Sequence, residues 1–161
     1  MITVRAREPD DEEKVAAFLR ANHSEPVARL EQLVRPLDHP ALVAEDGERL
    51  AGVLTYVLAD RDCEILTLHA AAQWRGTGTA LIAAVERIAR DAECARLWVL
   101  TTNDNVDALR FYQRRGFRFA ALNAGAVDRS RTQLKPEIPE YGAYGIPIRD
   151  ELVLERRLDG C

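Results

Sequence analysis

Apolar positions recur with two periods along this chain, and the two periods predict an alternation of strands and helices. Short segments in which every second residue, or nearly every residue, is apolar indicate strands. Seven segments have this pattern, and the pair Asp46-Gly47 predicts a hairpin turn between the second and the third. In chain order the predicted strands are Ile2 to Arg7, Ala41 to Glu45, Leu50 to Leu58, Cys63 to His69, Arg96 to Leu100, Phe117 to Leu122 and Glu151 to Arg157.

Helical periodicity occupies most of the segments between these strands. After the fourth strand, five apolar residues share one helical stripe: Leu81, Ala84, Val85, Ile88 and Ala92. Acidic residues in the first turn of one helix, and basic residues before a terminating glycine in another, fit the helix dipole. The predicted helices are Pro9 to Ala21, Pro26 to Val34, Thr77 to Ala92, Val106 to Arg115 and a short one around Asp128 to Leu134.

The order of these elements predicts the fold class. A strand, a helix and a strand in sequence form a βαβ unit, so strands 4 and 5 are expected to be parallel neighbours. We therefore expect an α/β fold with a mixed, mostly antiparallel seven-stranded sheet, a central parallel pair (strands 4 and 5) and about four flanking helices. Residues 1–161 are expected to form a single domain, since this length suffices for one core.

The composition and charge of the chain argue against several classes of function. A content of 47% hydrophobic and 30% charged residues is typical of a soluble globular protein. The net charge of −4 argues against a nucleic-acid partner, and no apolar run approaches the ~20 residues of a membrane span. The acidic N-terminus forms no signal peptide, and Cys63, Cys94 and Cys161 form no CxxC pair. We expect a cytoplasmic protein with no metal site, nucleic-acid partner or membrane partner.

The segment Gln73 to Ile82, QWRGTGTALI, combines two glycines with the start of a helix. Gly76 and Gly78 remove side chains where the chain must turn tightly and bring its amides close to a ligand. The N-terminus of the following helix directs unpaired N–H groups into the same space, which favours an anion such as a pyrophosphate. The alternative is that the glycines serve packing alone.

A second segment, Thr101 to Phe117, begins where strand 5 ends, at the edge where open α/β sheets bind ligands. Asn105, Ala108 and Tyr112 recur at i, i+3 and i+7 and share one helical face. That face offers an amide, a small residue that permits close approach, and a phenol. The alternative is that Tyr112 packs in the core and Asn105 caps the helix.

Together these segments resemble the GNAT superfamily of acyl-CoA-dependent N-acetyltransferases. Three matches carry the resemblance: Leu66-Thr67-Leu68 on strand 4, Gln73-x-x-Gly76-x-Gly78 before Leu81-Ile82, and Asn105-x-x-Ala108-x-x-Phe111-Tyr112 closed by Gly116-Phe117. A competing phase of the glycine motif, Arg75-x-x-Gly78-x-Ala80, also fits its letters. We prefer the Gln73 phase, because only that phase puts the paired aliphatic residues where the family has them.

The resemblance implies acetyl-CoA as cosubstrate, bound in a cleft between strands 4 and 5. Backbone amides of Gln73 to Thr79 would hold the pyrophosphate, with added charge from Arg75. Backbone groups of Leu66 to Leu68 would pair with the pantetheine arm, and Asn105 would bond that arm or a bound water. The residues implied to bind the cofactor are Leu66, Thr67, Leu68, Gln73, Trp74, Arg75, Gly76, Thr77, Gly78, Thr79, Asn105, Ala108 and Tyr112.

The resemblance also implies direct attack of a neutral amine on the thioester, with Tyr112 as the general acid that protonates the leaving thiolate. As general base, Glu64 shares strand parity with Leu66 and Leu68 and would act through water. His69, near the end of the same strand, titrates in the useful range and is the other candidate. A solvated or structural role is the alternative for both residues.

Residues 123–149 form a longer connection than this fold usually has before its last strand. Tyr141, Tyr144 and Ile146 supply apolar anchors in it, and three prolines stiffen it. We expect the segment to act as a lid over the acceptor site or as a dimer contact, which makes a homodimer a candidate assembly. An inert surface excursion is the alternative.

The sequence thus predicts an enzyme that moves an acetyl group from acetyl-CoA to a primary amine in a ternary complex. The acceptor is left open between a small molecule and a protein N-terminus or lysine. A non-catalytic acyl-CoA-binding or sensor module is the alternative from another class, and the proton donor Tyr112 argues against it. A Rossmann nucleotide-binding unit is disfavoured, because antiparallel strands precede the glycine loop and a third glycine is missing.

Overall fold

The computed structural model describes residues 1–72 and 76–159. The strands are β1 Ile2–Ala6, β2 Val27–Arg29, β3 Gln32–Val34, β4 Ala41–Asp46, β5 Arg49–Ala59, β6 Asp62–Ala70, β7 Arg96–Thr102, β8 Arg118–Asn123 and β9 Glu151–Arg157. The described residues form four α-helices: α1 Glu12–Ala21, α2 Thr77–Asp91, α3 Val106–Arg114 and α4 Ala126–Gln133. None of these helices is long and apolar enough to cross a membrane.

Seven of the strands form one mixed sheet, as predicted, in the order β1-β4-β5-β6-β7-β9-β8. The pairs β1–β4, β4–β5, β5–β6 and β8–β9 are antiparallel. The parallel pair is β6–β7 rather than the fourth and fifth strands of the chain. The segments predicted to be parallel, Cys63 to His69 and Arg96 to Leu100, are the ones that form β6 and β7. Their numbers change because two short strands precede them.

Those two short strands correct the predicted helix from Pro26 to Val34, which was wrong. The segment forms a separate two-stranded sheet, β2–β3, whose tip residues Leu30 and Glu31 have φ of 48° and 60°. Long-range contacts hold this hairpin: the Leu30 N–H donates to Glu151 at 3.3 Å, and Glu31 is paired with Arg129. Contacts with residues far along the chain therefore override the local helical spacing.

The chain divides into two compact units, and the first comprises residues 1–27, 35–97 and the residues after 157. In this unit α1 packs its apolar face on the sheet, with Val15 and Leu19 in one buried cluster with Val43 and Val53. The neighbouring Gly52 instead faces α2, where an added Cβ would contact Thr77 and Leu81. Consecutive strand residues point to opposite faces, so α1 and α2 cover opposite faces of β5.

The second unit comprises residues 28–34 and 98–157 and contains α3, α4, β8 and β9. The predicted short helix in the long connection is confirmed as α4. Asn103 fixes the end of this connection: its amide donates to the Pro147 carbonyl at 2.9 Å and its oxygen accepts the Arg149 and Asp150 N–H groups. The connection therefore lies packed on the loop between β7 and α3.

Candidate active site

Strand β6 carries Glu64, His69 and the segment Leu66 to Leu68, and it contains a β-bulge. Thr67 lies opposite Thr55, but Ile65 lies opposite Tyr56, the next residue of β5. Leu66 is therefore an extra residue without a partner of its own on β5. A bulge of this kind shifts the alternation of side chains by one position.

The bulge corrects the argument by which Glu64 was selected as a base. Glu64 lies opposite Val57, whereas Leu68 lies opposite Leu54, and these two β5 residues point to opposite faces. The expected shared parity of Glu64 with Leu68 is therefore wrong. Glu64 is buried, and its side chain lies on the same face of the sheet as Thr67 and His69. This is the face that α1 covers. Its role as a base stays a prediction.

His69 lies opposite Val53 on β5. Its ring contacts Ser24, a residue that no sequence motif marks. The His69 Nε2 atom lies 2.6 Å from the Ser24 hydroxyl oxygen. Burial lowers the pKa of His69 to about 4, because the interior disfavours the charged imidazolium. His69 is therefore neutral at neutral pH, and the expectation that it titrates in the range useful for a general base is wrong. Ser24 follows α1 without any local motif, so only the fold brings it to the strand.

Thr67 belongs to the segment predicted to bind pantetheine through its backbone. Its hydroxyl lies 2.6 Å from the Thr55 hydroxyl, and both side chains are buried. The Thr67 side chain is therefore engaged within the first unit. Any contact of this residue with a cofactor falls to its backbone, as the resemblance implies.

The start of α2 has the open geometry that an anion site needs. Gly76 is its N-cap residue with a left-handed φ of 78°, and no side chain of the described residues caps the helix. Gly76 is exposed, and an added Cβ there would meet no atom of the described residues within 4 Å. The first helical bond runs from the Ala80 N–H to the Gly76 carbonyl at 3.0 Å. The N–H groups of Thr77 and Gly78 thus have no acceptor within the helix. The predicted cofactor contacts of Gln73, Trp74 and Arg75 lie outside the described residues.

Gly52 supports this helix start, and the sequence analysis did not identify it. A Cβ at Gly52 would lie 2.7 Å from the Thr77 side chain and 2.8 Å from the His69 carbonyl oxygen. Thr77, the first residue of α2, is 3% exposed. The close approach of helix to strand therefore requires glycine at this position. A glycine inside a strand was the available signal.

The start of α3 is closed by its own side chain. The Asn105 side-chain oxygen accepts the Ala108 N–H at 3.3 Å, which is the capping role considered as the alternative for this residue. Asn105 itself is exposed and Ala108 is half-buried. Both lie with Tyr112 on α3, in the second unit.

Tyr112 is a buried phenol between two aromatic rings. It is 5% exposed, and the ring centroids of Phe111 and Phe117 each lie 5.2 Å from its own in edge-on geometry. Burial raises the pKa of Tyr112 above that of an exposed phenol. No hydrogen bond to its hydroxyl is found among the residues that the structure describes. This packing between two rings is the core position considered as the alternative for Tyr112, and its role as a proton donor stays a prediction.

The cysteines offer no nucleophile in the part of the chain that is described. Cys63 and Cys94 are buried and free, and burial raises the pKa of Cys63 to about 12. A thiol with such a pKa holds almost no thiolate at neutral pH. Within residues 1–72 and 76–159, no three His, Cys, Asp or Glu side chains form a group that could hold a metal ion.

Comparison with known sequences shows the family to which the chain belongs. The sequence model described as the acetyltransferase (GNAT) family matches residues 7–117, a range that includes β6, α2 and α3. The chain belongs to this family. The uncharacterised protein YdhI of Bacillus subtilis (strain 168) is 47% identical over 123 residues, which cover 76% of each chain.

Solved structures show the same fold. An acetyltransferase of Bacillus subtilis solved in complex with CoA superposes with a TM-score of 0.70 at 18% identity, over 98% of this chain and 99% of that chain. A GNAT family acetyltransferase of Elizabethkingia anophelis with acetyl-CoA bound gives a TM-score of 0.68 at 19% identity, over 98% of each chain. At this level of identity the likeness concerns the fold.

Proposed function

We propose that this protein transfers an acetyl group from acetyl-CoA to a primary amine. The observation that carries the proposal is Tyr112, a buried phenol on α3 at the position of the family motif. A module that only bound acyl-CoA would have no use for a proton donor there. Membership of the acetyltransferase family and the CoA or acetyl-CoA bound in structural neighbours support the same reaction class.

The residues present fit acetyl-CoA as the donor. An uncapped helix start with an accessible left-handed glycine suits a pyrophosphate, and Gly76 and Thr77 supply that geometry. We propose that the backbone from Gly76 to Thr79 holds the pyrophosphate, together with residues 73–75. Backbone groups of Leu66 to Leu68 are proposed to bind pantetheine, with an N–H at Leu68 on the thioester carbonyl. Ala108 and the Asn105 amide are proposed to complete the cofactor contacts.

The chemistry needs two proton transfers. Acetyl-CoA supplies the acetyl group as a thioester. The amine nitrogen forms a bond to the carbonyl carbon as the carbon–sulfur bond breaks, and Tyr112 protonates the departing sulfur. The nitrogen gives up a proton to a base, for which we propose Glu64 acting through water. The products are an N-acetyl amine and free CoA, and no covalent enzyme intermediate forms.

Two assays test the proposal on the intact protein. Acetyl-CoA in large excess over its Kd should raise the Tm, because a ligand that binds only the folded state stabilises it. Release of free thiol from acetyl-CoA in the presence of small amines, peptides with free N-termini and lysine peptides should then identify the acceptor class. Stabilisation without thiol release by any amine would indicate a binding module, and no stabilisation would contradict both readings.

The variant Tyr112→Phe tests the proton donor. It should lower kcat about 100-fold, a typical contribution of a general acid, and leave the Kd of acetyl-CoA nearly unchanged. Since the pKa of Tyr112 is raised, the wild-type kcat should not fall at alkaline pH below the ordinary phenol pKa of about 10. Tyr141→Phe, at a tyrosine that is 61% exposed, is the control. Equal kcat values for wild type and Tyr112→Phe would exclude this assignment.

A further inference from the structure

Residues 142–145, which we call the 142–145 turn, contact the chain immediately before α3. The turn is closed by its own hydrogen bond from the Gly145 N–H to the Gly142 carbonyl at 3.2 Å. The Ala143 N–H donates to Asp104 Oδ2 at 3.0 Å, one residue before the N-cap Asn105. The turn thus bonds to the chain where α3 begins.

Both carboxylate oxygens of Asp104 accept hydrogen bonds, one of them from the turn. Asp104 is 7% exposed, and while Oδ2 accepts from the turn, Oδ1 accepts the Thr102 hydroxyl at 2.5 Å. The approach is so close that a Cβ at Gly142 would lie 2.0 Å from Asp104 Oδ2 and 2.8 Å from the Ile148 side chain. Only glycine permits this packing, so the position of the turn relative to Asp104 is fixed.

Tyr144 makes the second contact, inside the first turn of α3. Its hydroxyl donates to both carboxylate oxygens of Asp107, at 2.9 and 3.0 Å, although the residue is 72% exposed. Its φ of 58° lies in the left-handed region, which is unfavourable for a residue with a large side chain. Such a conformation persists where surrounding contacts determine it, and here those contacts end on α3.

We propose that the 142–145 turn positions the start of α3, so that Gly142, Ala143 and Tyr144 are positioning residues for the cofactor-binding face of that helix. The helix has nine residues, too few to be stable by itself, and its own cap is one side-chain bond of 3.3 Å. Asp104 precedes Asn105 and Asp107 follows it, so the turn bonds to the chain before and after the cap residue. The effect on acetyl-CoA rests on the proposed function, whereas the effect on the helix does not.

Hydrogen exchange and kinetics of Tyr144→Phe test the proposal, with Tyr141→Phe as the matched control. The hydroxyl of Tyr141, in the same connection, has no hydrogen-bond partner among the described residues. Removal of the Tyr144 hydroxyl should speed amide exchange in the first turns of α3 about fivefold, because one hydrogen bond to a partly exposed carboxylate is lost. The KM for acetyl-CoA should rise about threefold and the KM for the amine should stay constant. Tyr141→Phe should change neither quantity.

Asp107→Ala should speed exchange at least as much as Tyr144→Phe, because it also removes the 3.8 Å ion pair with Arg110, and the double variant should be no worse than Asp107→Ala alone. Equal exchange in α3 for Tyr144→Phe, Tyr141→Phe and wild type would overturn the proposal. Faster exchange with an unchanged KM for acetyl-CoA would overturn the positioning role for the cofactor. A wild-type protein that neither binds nor consumes acetyl-CoA would refute the proposed function, while exchange would still decide whether the turn holds α3.

Discussion

The two helix starts that carry the family motifs are built in opposite ways. Helix α2 begins after Gly76, an exposed residue with a left-handed backbone, and no side chain in the described part of the chain caps it. Helix α3 begins at Asn105, which caps its own helix, and the 142–145 turn bonds to the residues on either side of that cap. The Thr77 and Gly78 N–H groups have no acceptor within α2, whereas at the start of α3 the Ala108 N–H is bonded to the Asn105 side chain and the Val106 N–H to the Asp104 carbonyl.

This difference indicates that the two helix starts have different roles in the proposed cofactor site. An open helix start can offer N–H groups to an anion, so it suits the pyrophosphate. A closed helix start cannot do this, but it holds a short helix in place and thereby fixes the side chains along one face. We infer that α2 acts through its backbone and α3 through its side chains, above all Tyr112.

Gly52→Ala should disturb the start of α2 more than any other substitution considered, because it displaces that start from the sheet. The added Cβ meets the His69 carbonyl, which is backbone and cannot move aside cheaply. Overpacking of this kind should cost about 2–3 kcal/mol of the free energy of unfolding, measured in urea. Acetyl-CoA should also stabilise this variant less than it stabilises wild type.

The control for the bare addition of a methyl group is Gly47→Ala, in the turn between β4 and β5. Gly47 has a φ of 64° and no atom within 4 Å of an added Cβ, so that variant carries only a backbone cost. If Gly52→Ala were no more destabilising than Gly47→Ala, the close approach of α2 to β5 would not matter for stability.

Gly76→Ala changes the start of α2 itself, where an added Cβ would meet no atom of the described residues within 4 Å. Its φ of 78° should cost about 1 kcal/mol once a side chain is present, the same as in Gly47→Ala. Acetyl-CoA affinity should nevertheless fall about tenfold in Gly76→Ala only, which corresponds to about 1.4 kcal/mol. Isothermal titration and urea unfolding of the two variants separate the contributions. Equal affinities in both would remove the α2 start from the proposed cofactor site.

Both helix starts were predictable from the sequence because the residues that form them are local signals. Helices α2 and α3 were placed to within one residue at either end, since Gly76 and Asn105 are residue types that begin helices. The predicted sheet was confirmed for the same reason, as alternation and turn residues mark each strand. What depends on neighbours in the sequence was predicted well.

What depends on distant residues was not predictable. The hairpin β2–β3 has helical spacing, and contacts to Glu151 and Arg129 decide its form. The bulge at Leu66 leaves no trace in the pattern of apolar residues, yet it moves Glu64 to the other face of β6. Ser24, on the His69 ring, and Asp104, under the 142–145 turn, have no motif at all. Each of these is set by tertiary packing.

Substitutions of Asn105 should change stability and cofactor binding least. The helix cap of this residue is observed, and its cofactor contact is proposed. Asn105→Ala removes the side-chain oxygen that accepts the Ala108 N–H and should cost about 1 kcal/mol of unfolding free energy. Asn105→Asp restores that acceptor, and a negative charge at a helix start is favourable, so its stability should match wild type. It does not restore the amide N–H groups. If those groups bind pantetheine or a water on it, Asn105→Asp should show a KM for acetyl-CoA raised about threefold at wild-type stability. A wild-type KM in this variant would assign Asn105 to the cap alone, and α3 would then contribute to the site through Ala108 and Tyr112.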